Sequence, residues 1–227
     1  MNRENLLEAL GRKLDADKYI PMVIECEDGI QLLLSLIEND KSSVKFLCEK
    51  IIRRLSETQP EALYPYFERM SKLINSPNSF IKYGFILTLP NLIPVDCDGK
   101  WNGFIEQYIT LLDTDSIAVF GNTVTSLWKV LEKYPGYEKV ILPKLLNIDG
   151  HRFMHKNAVS PECVNVAKGH ILDFFDKTYP NSKYKKDMLN FAEKNIDNTR
   201  NRVRIKAKAF LKKNLQEKHK ISAGNSI

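Results

Sequence analysis

The chain has no run of about 18 apolar residues, which excludes a membrane-spanning helix. Cysteine is sparse. Cys26, Cys48, Cys97 and Cys163 stand far apart and form no CxxC pair, which argues against a zinc ribbon and a dense disulfide framework. No HExxH motif, glycine-rich phosphate loop or nucleophile motif occurs. No catalytic, cofactor-binding or metal-binding residue is therefore assigned, and a non-enzymatic role is expected. The opening stretch, MNRENLLEALGRKLDADK, is charged throughout and lacks the apolar region of a signal peptide, so a cytoplasmic location is expected. Strand-like alternation between hairpin turns is missing, which points away from a β fold.

Hydrophobic residues make up 43% of the 227, enough for a continuous core. The net charge of +6 is unevenly placed: from Lys183 onward there are 13 Lys/Arg against 4 Asp/Glu, whereas residues 1–182 carry a net of −3. The basic character belongs to the last helices.

The dominant signal is a repeat. A β-branched residue follows a polar turn at Val44, Ile81, Val119, Val164 and Val203, at intervals of 37, 38, 45 and 39 residues. Eight positions later stand Ile52, Leu89, Leu127, Leu172 and Leu211; eleven later stand Leu55, Leu92, Val130 and Phe175, with Asn214 breaking the series. At 3.6 residues per turn these offsets share a face with the anchor. Pro60, Pro135 and Pro180 each lie 16 positions past an anchor, where they close the helix. A preceding helix recurs as well, carried by Ile30, Leu33, Leu34 and Ile37, by Leu63, Phe67, Met70, Leu73 and Ile74, by Phe104, Tyr108, Ile109, Leu111 and Leu112, and by Ile141, Leu142, Leu145 and Leu146. In the second copy one helix is expected, with Pro65 in its first turn, where a missing N–H costs nothing. The turns Asn39-Asp40-Lys41, Ser76-Pro77-Asn78 and Thr114-Asp115-Ser116 supply caps for the second helix.

Leu-Tyr-Pro and Ile-Leu-Pro opening a helix, a Ser-Pro-Asn or Thr-Asp-Ser turn, then Val/Ile followed by Lys45, Lys82 or Arg204, resemble the HEAT-repeat pattern over roughly residues 28–214. The expected fold is all-α: a right-handed α-α superhelix of about five to six helix pairs. It would form one domain over 1–220, with residues 1–27 as an N-terminal cap around Leu6, Leu7, Leu10 and Leu14, repeats over 28–214 and a disordered tail over 221–227. One helix pair cannot bury its apolar stripe alone; stacked neighbours bury it for each other. The second helices would then line a curved surface.

Departures from the repeat mark candidate function. The fourth copy carries an insertion, Asn147 to Pro161, with His151 and His155 at HxxxH spacing but without the accompanying glutamate. Pro90 should kink or end its helix early. Asp96-Cys97-Asp98-Gly99 reads as a solvated turn with too few ligands for calcium. Trp101 should pack between repeats. In the last helix Val203, Ala207, Phe210 and Leu211 form the buried stripe and basic residues cover the rest.

Three functions compete. The HEAT resemblance implies a non-catalytic protein-binding scaffold, with the partner on the concave surface formed by the second helices, across Lys45, Lys82, Trp128, Lys129, Lys168 and Arg204; a monomer is expected. Nucleic acid is the alternative partner, with Arg200, Arg202, Arg204, Lys206 and Lys208 on phosphates. HEAT-like glycosylases acting on alkylated purines in DNA are similar in length and charge. They use aromatic residues and an aspartate on the concave face, where this chain offers Trp128 with Glu132. The third is a subunit role in a larger assembly, docked by the acidic body and basic end.

Overall fold

The computed structural model describes residues 1–12 and 14–224, and side chains as far as Leu215. The chain is built of helices: α1 (Arg3–Leu10), α2 (Ala16–Glu25), α3 (Gly29–Asn39), α4 (Val44–Thr58), α5 (Pro60–Leu63), α6 (Phe67–Ser71), α7 (Ser79–Thr88), α8 (Lys100–Thr110), α9 (Ile117–Lys133), α10 (Glu138–Leu146), α11 (Pro161–Thr178), α12 (Lys185–Glu193) and α13 (Asn201–Gly224). Short 3₁₀ turns link several of them. The tail expected over 221–227 lies outside the described side chains. Among the described residues no helix is long and apolar enough to cross a membrane.

The chain divides into two compact units, Met1–Glu106 and Gln107–Ile227. In the first, α4 packs against α2, α3 and α7. Its core takes Leu33, Leu34 and Ile37 from α3, Cys48, Ile51, Ile52 and Leu55 from α4, and Phe85, Leu89 and Leu92 from α7 and the turn after it. Trp101 is fully buried there; its ring meets Phe67 and Phe104 edge-on, with centroids 5.9 and 5.2 Å away. Each such buried side chain is worth about 1.5–3 kcal/mol. In the second unit α11 packs between α9 and α13, and α12 packs on α13. Leu127, Val130, Leu172, Phe175, Val203, Ala207 and Phe210 are buried.

The anchors fall in α4, α7, α9, α11 and α13, near their starts. Asn78 accepts from the N–H groups of Phe80 and Ile81, and Ser116 from that of Val119, so the turn residues cap as their chemistry predicts. Helix α7 stops at Thr88, and Pro90 and Pro94 hold the segment Leu89–Val95 as a 3₁₀ turn. Asp96 then caps α8, with its carboxylate accepting from Lys100 N and Trp101 N at 2.8 and 3.2 Å.

Three expectations are corrected, and the insertion takes a form that the repeat does not encode. The first helix of the second copy is broken into α5, a 3₁₀ turn, α6 and another 3₁₀ turn, because Pro65 lies past the first turn and lacks the N–H that would continue it. In the fourth copy α10 begins at Glu138, so Pro143 is inside the helix rather than at its opening. Asn214 does not interrupt the stripe: it is buried and donates to Phe210 O at 2.8 Å, while Leu211 is half-buried. The insertion contains a small antiparallel hairpin, β1 (Met154–His155) with β2 (Ala158–Val159), paired Met154 to Val159 and His155 to Ala158. Lys156 and Asn157 make its turn with φ of 49° and 63°, the two positive values a tight hairpin turn demands.

Phe153 holds the base of that hairpin. It is fully buried, with its ring 5.2 Å from Phe120 and 4.3 Å from His151. His151 Nε2 lies 2.6 Å from Thr114 O, Met154 N donates to Asp115 O, and Ser160 N donates to Phe153 O. Residues 154–159 are exposed.

Candidate functional site

The sequence places its candidate residues on the second helices, and all but Arg200 lie there: Lys45 on α4, Lys82 on α7, Trp128 and Lys129 on α9, Lys168 on α11, and Arg202, Arg204, Lys206 and Lys208 on α13, with Arg200 one residue before it. Their surroundings differ sharply.

In the first unit the prominent feature is aromatic. Phe80 is 71% exposed and Phe46 37% exposed, and the two rings meet edge-on at 5.8 Å between α4 and α7. With Glu49, Arg53, Tyr83, Gly84 and Leu87 they line a groove of about 550 Å³. Phe46, Phe80, Tyr83 and Leu87 stand at offsets 2, −1, 2 and 6 from their anchors. At 100° per residue those offsets fall roughly 200–260° around the helix, opposite the buried stripe. Lys45 Nζ sits 5.4 Å from the centroid of the Phe46 ring, and Lys82 adjoins the anchor Ile81.

The polar part of the groove is internally balanced. Glu49 accepts from Arg53 Nε at 3.0 Å. Its carboxyl is held above the ordinary range by burial, against the opposing pull of Arg53 and Lys50. It reaches its position because Gly84 has no side chain: a Cβ there would stand 2.0 Å from Glu49 Oε1.

In the second unit Trp128 is half-buried and carries two lysines, with Lys177 Nζ 4.9 Å and Lys129 Nζ 5.5 Å from its ring centroid. Trp128 and Glu132 line the same cleft, about 600 Å³, with Leu131, Pro135, Lys177 and Ser182. Lys168 is half-buried and paired with Asp149 at 2.6 Å.

The basic helix α13 is largely committed to its neighbours. Arg200 pairs with Glu162, Lys206 bonds Gly169 O and Asp173, and Lys213 pairs with Asp176, so the acids of α11 and the cations at α13 form a ladder. Arg204 donates to Asn198 O, Thr199 O and Asn201 Oδ1. Arg202, Lys208 and Lys212 are exposed and make no ion pair within 4.0 Å among the described residues.

The histidines of the insertion are not gathered. His151 is engaged at Thr114 and Phe153, whereas His155 lies in an exposed strand. Among the described residues no three His, Cys, Asp or Glu side chains are placed to hold a metal ion. The α4–α7 groove is what the sequence reading passed over. Its signal was present: large apolar side chains, Phe46, Phe80, Tyr83 and Leu87, at offsets outside the buried stripe.

No family model matches the chain, and no curated protein matches it. Among solved structures it is similar to a designed armadillo repeat protein, with 15% sequence identity over 86% of this chain and 85% of that one and a TM-score of 0.56. That likeness concerns the fold, and the fold is an all-α solenoid of stacked helical repeats.

Proposed function

We propose that this chain is a non-catalytic interaction scaffold of the HEAT-like kind, a cytoplasmic monomer that docks a protein partner on the outward faces of its second helices. The observation that carries the reading is the exposed pair Phe46 and Phe80 on adjacent second helices. Covering the Phe80 ring would contribute about 2 kcal/mol. Exposed aromatics set in a groove are the residues that dominate protein interfaces. The half-buried Trp128 with its two lysines extends the same theme in the second unit.

The nucleic-acid alternative draws less support. Of its five cations, Arg200 and Lys206 are paired with acids of α11 and Arg204 is bound to backbone, which leaves Arg202 and Lys208 exposed without an ion pair among the described residues. Phosphate binding scales with the number of neutralising contacts. The glycosylase variant has only the shared cleft of Trp128 and Glu132 in its favour.

A photoreactive phenylalanine analogue placed at position 80 tests the scaffold reading. In native extract it should give a discrete protein adduct that the same analogue at the exposed Val140 does not give. Equal labelling from both positions, or none from either, refutes the proposal.

A further inference from the structure

The scaffold reading says nothing about the chemistry of the docking segment. We infer that the α4–α7 groove takes a short acidic protein segment that packs one bulky apolar side chain against Phe46 and Phe80. This inference rests on the scaffold reading.

The floor selects the anchor. Phe46, Phe80, Tyr83 and Leu87 present ring faces and methyl groups to an open groove of about 550 Å³. Gly84 leaves room for the Glu49 carboxylate between the two helices, so that acid lies beside α7 within the groove. Phe46 to Arg53 spans about two helical turns, so roughly three extended residues or two turns of a bound helix cover it. That length admits one large apolar residue and its flanking positions.

The charges select the flanks. The single acid in the groove, Glu49, is neutralised by Arg53 and half-sunk beside Gly84. Lys45 and Lys82 follow their anchors on α4 and α7, and Lys50 stands one turn beyond Phe46 on the same face. None of the three makes an ion pair within 4.0 Å among the described residues. The lining therefore offers an apolar floor and an internally compensated pair, and beside it stand three lysines without a close ion pair among the described residues, Lys45 against the Phe46 ring and Lys50 and Lys82 next along α4 and α7. Carboxylates on either side of an apolar anchor complement that arrangement, and a basic segment meets like charge on both helices.

The probe is a dye-labelled synthetic 12-residue peptide of Asp and Glu around a central Phe-Leu pair, titrated by fluorescence anisotropy into the full chain. Saturable binding is expected, at least tenfold weaker when Phe-Leu is replaced by Ser-Ser, and weakened by added salt. Phe80→Ala and the double substitution Lys45→Glu with Lys82→Glu should each cost at least tenfold while leaving the circular dichroism melt unchanged. Phe80 and the lysines contribute little to the core, so both variants should fold. Equal binding of a Lys/Arg version of the peptide overturns the inference. So does binding indifferent to both variants, displacement of the probe by duplex DNA, or a dimer that Phe80→Ala dissociates. If position 80 cross-links to protein but the acidic probe does not bind, the scaffold stands and its acidic partner falls. If neither occurs, both fall.

Discussion

Gly84 on α7 and Glu49 on α4 occupy what is nearly a single space: a Cβ on the glycine would lie 2.0 Å from the Oε1 of the glutamate. The neighbours press so closely because one of them has no side chain. Alanine is favoured over glycine within a helix by about 1 kcal/mol. Gly84→Ala should nevertheless destabilise the chain, because it drives the carboxylate away from Arg53. In a Glu49→Ala background the obstruction is gone, and the same change should stabilise by about 1 kcal/mol. Urea unfolding of the four proteins tests the reversal of sign; the same sign in both backgrounds would show that the two residues do not compete.

His170 on α11 is half-buried, and Gly121 faces its ring, where a Cβ would approach Nε2 to 2.8 Å. Burial lowers its pKa below the usual 6.5; Lys206 and Arg202 lower it further, and Asp173 acts the other way. As the pH falls from 6.5 toward the lower folded value, the unfolded chain takes up the proton first. The stability present above about pH 6.5 is therefore lost progressively on acidification. His170→Gln should flatten that segment of the stability profile relative to wild type. An unchanged slope there would assign the acid sensitivity to other groups.

The four thiols should behave as one and three. Cys97 is exposed in the turn before α8, and Cys26, Cys48 and Cys163 are buried. Burial pushes the Cys48 thiol up to about 12, away from the reactive thiolate. A disulfide reagent should consume one equivalent rapidly from the native protein and four after denaturation. Cys97→Ser should remove the fast equivalent.

Asp96 joins a cap to a side-chain bond. Besides receiving Lys100 N and Trp101 N, it accepts the Tyr64 hydroxyl at 2.7 Å. Burial first, then Asp96, push that phenol up to about 12. Asp96→Ala should cost about 2 kcal/mol, combining a lost cap with a hydroxyl that loses its acceptor while still receiving Asp98 N. Tyr64→Phe should cost about 1 kcal/mol, and the two losses should be less than additive in a double-mutant cycle monitored by thermal unfolding.

Much of the fold was legible because burial in stacked helices imposes one period. Val119, Leu127 and Val130 are buried at offsets 0, 8 and 11 as read from the sequence, and Ile81, Leu89 and Leu92 repeat the pattern. The illegible parts depend on neighbours that no period encodes. Whether Pro65 opens a helix or divides it depends on where the preceding turn starts. Asn214 looked like a break because its buried amide is satisfied locally by Phe210 O. The cations of α13 could be placed on a helical wheel, but their pairing with Glu162, Asp173 and Asp176 requires the register of α11 against α13. The α4–α7 groove escaped for a simpler reason. Its apolar residues lie opposite the buried stripe, outside the positions that the repeat period marks.

The insertion in the fourth copy is rooted at both ends and exposed between them. Phe153 and His151 fix its base beside Phe120 and Thr114, and Ser160 closes it with a bond to Phe153 O. Everything from Met154 to Val159 stands outside that root. Such a segment can lengthen, shorten or change its chemistry across generations without moving a core side chain, so this repeat carries its own place for novelty, independent of the period that the rest of the chain must keep.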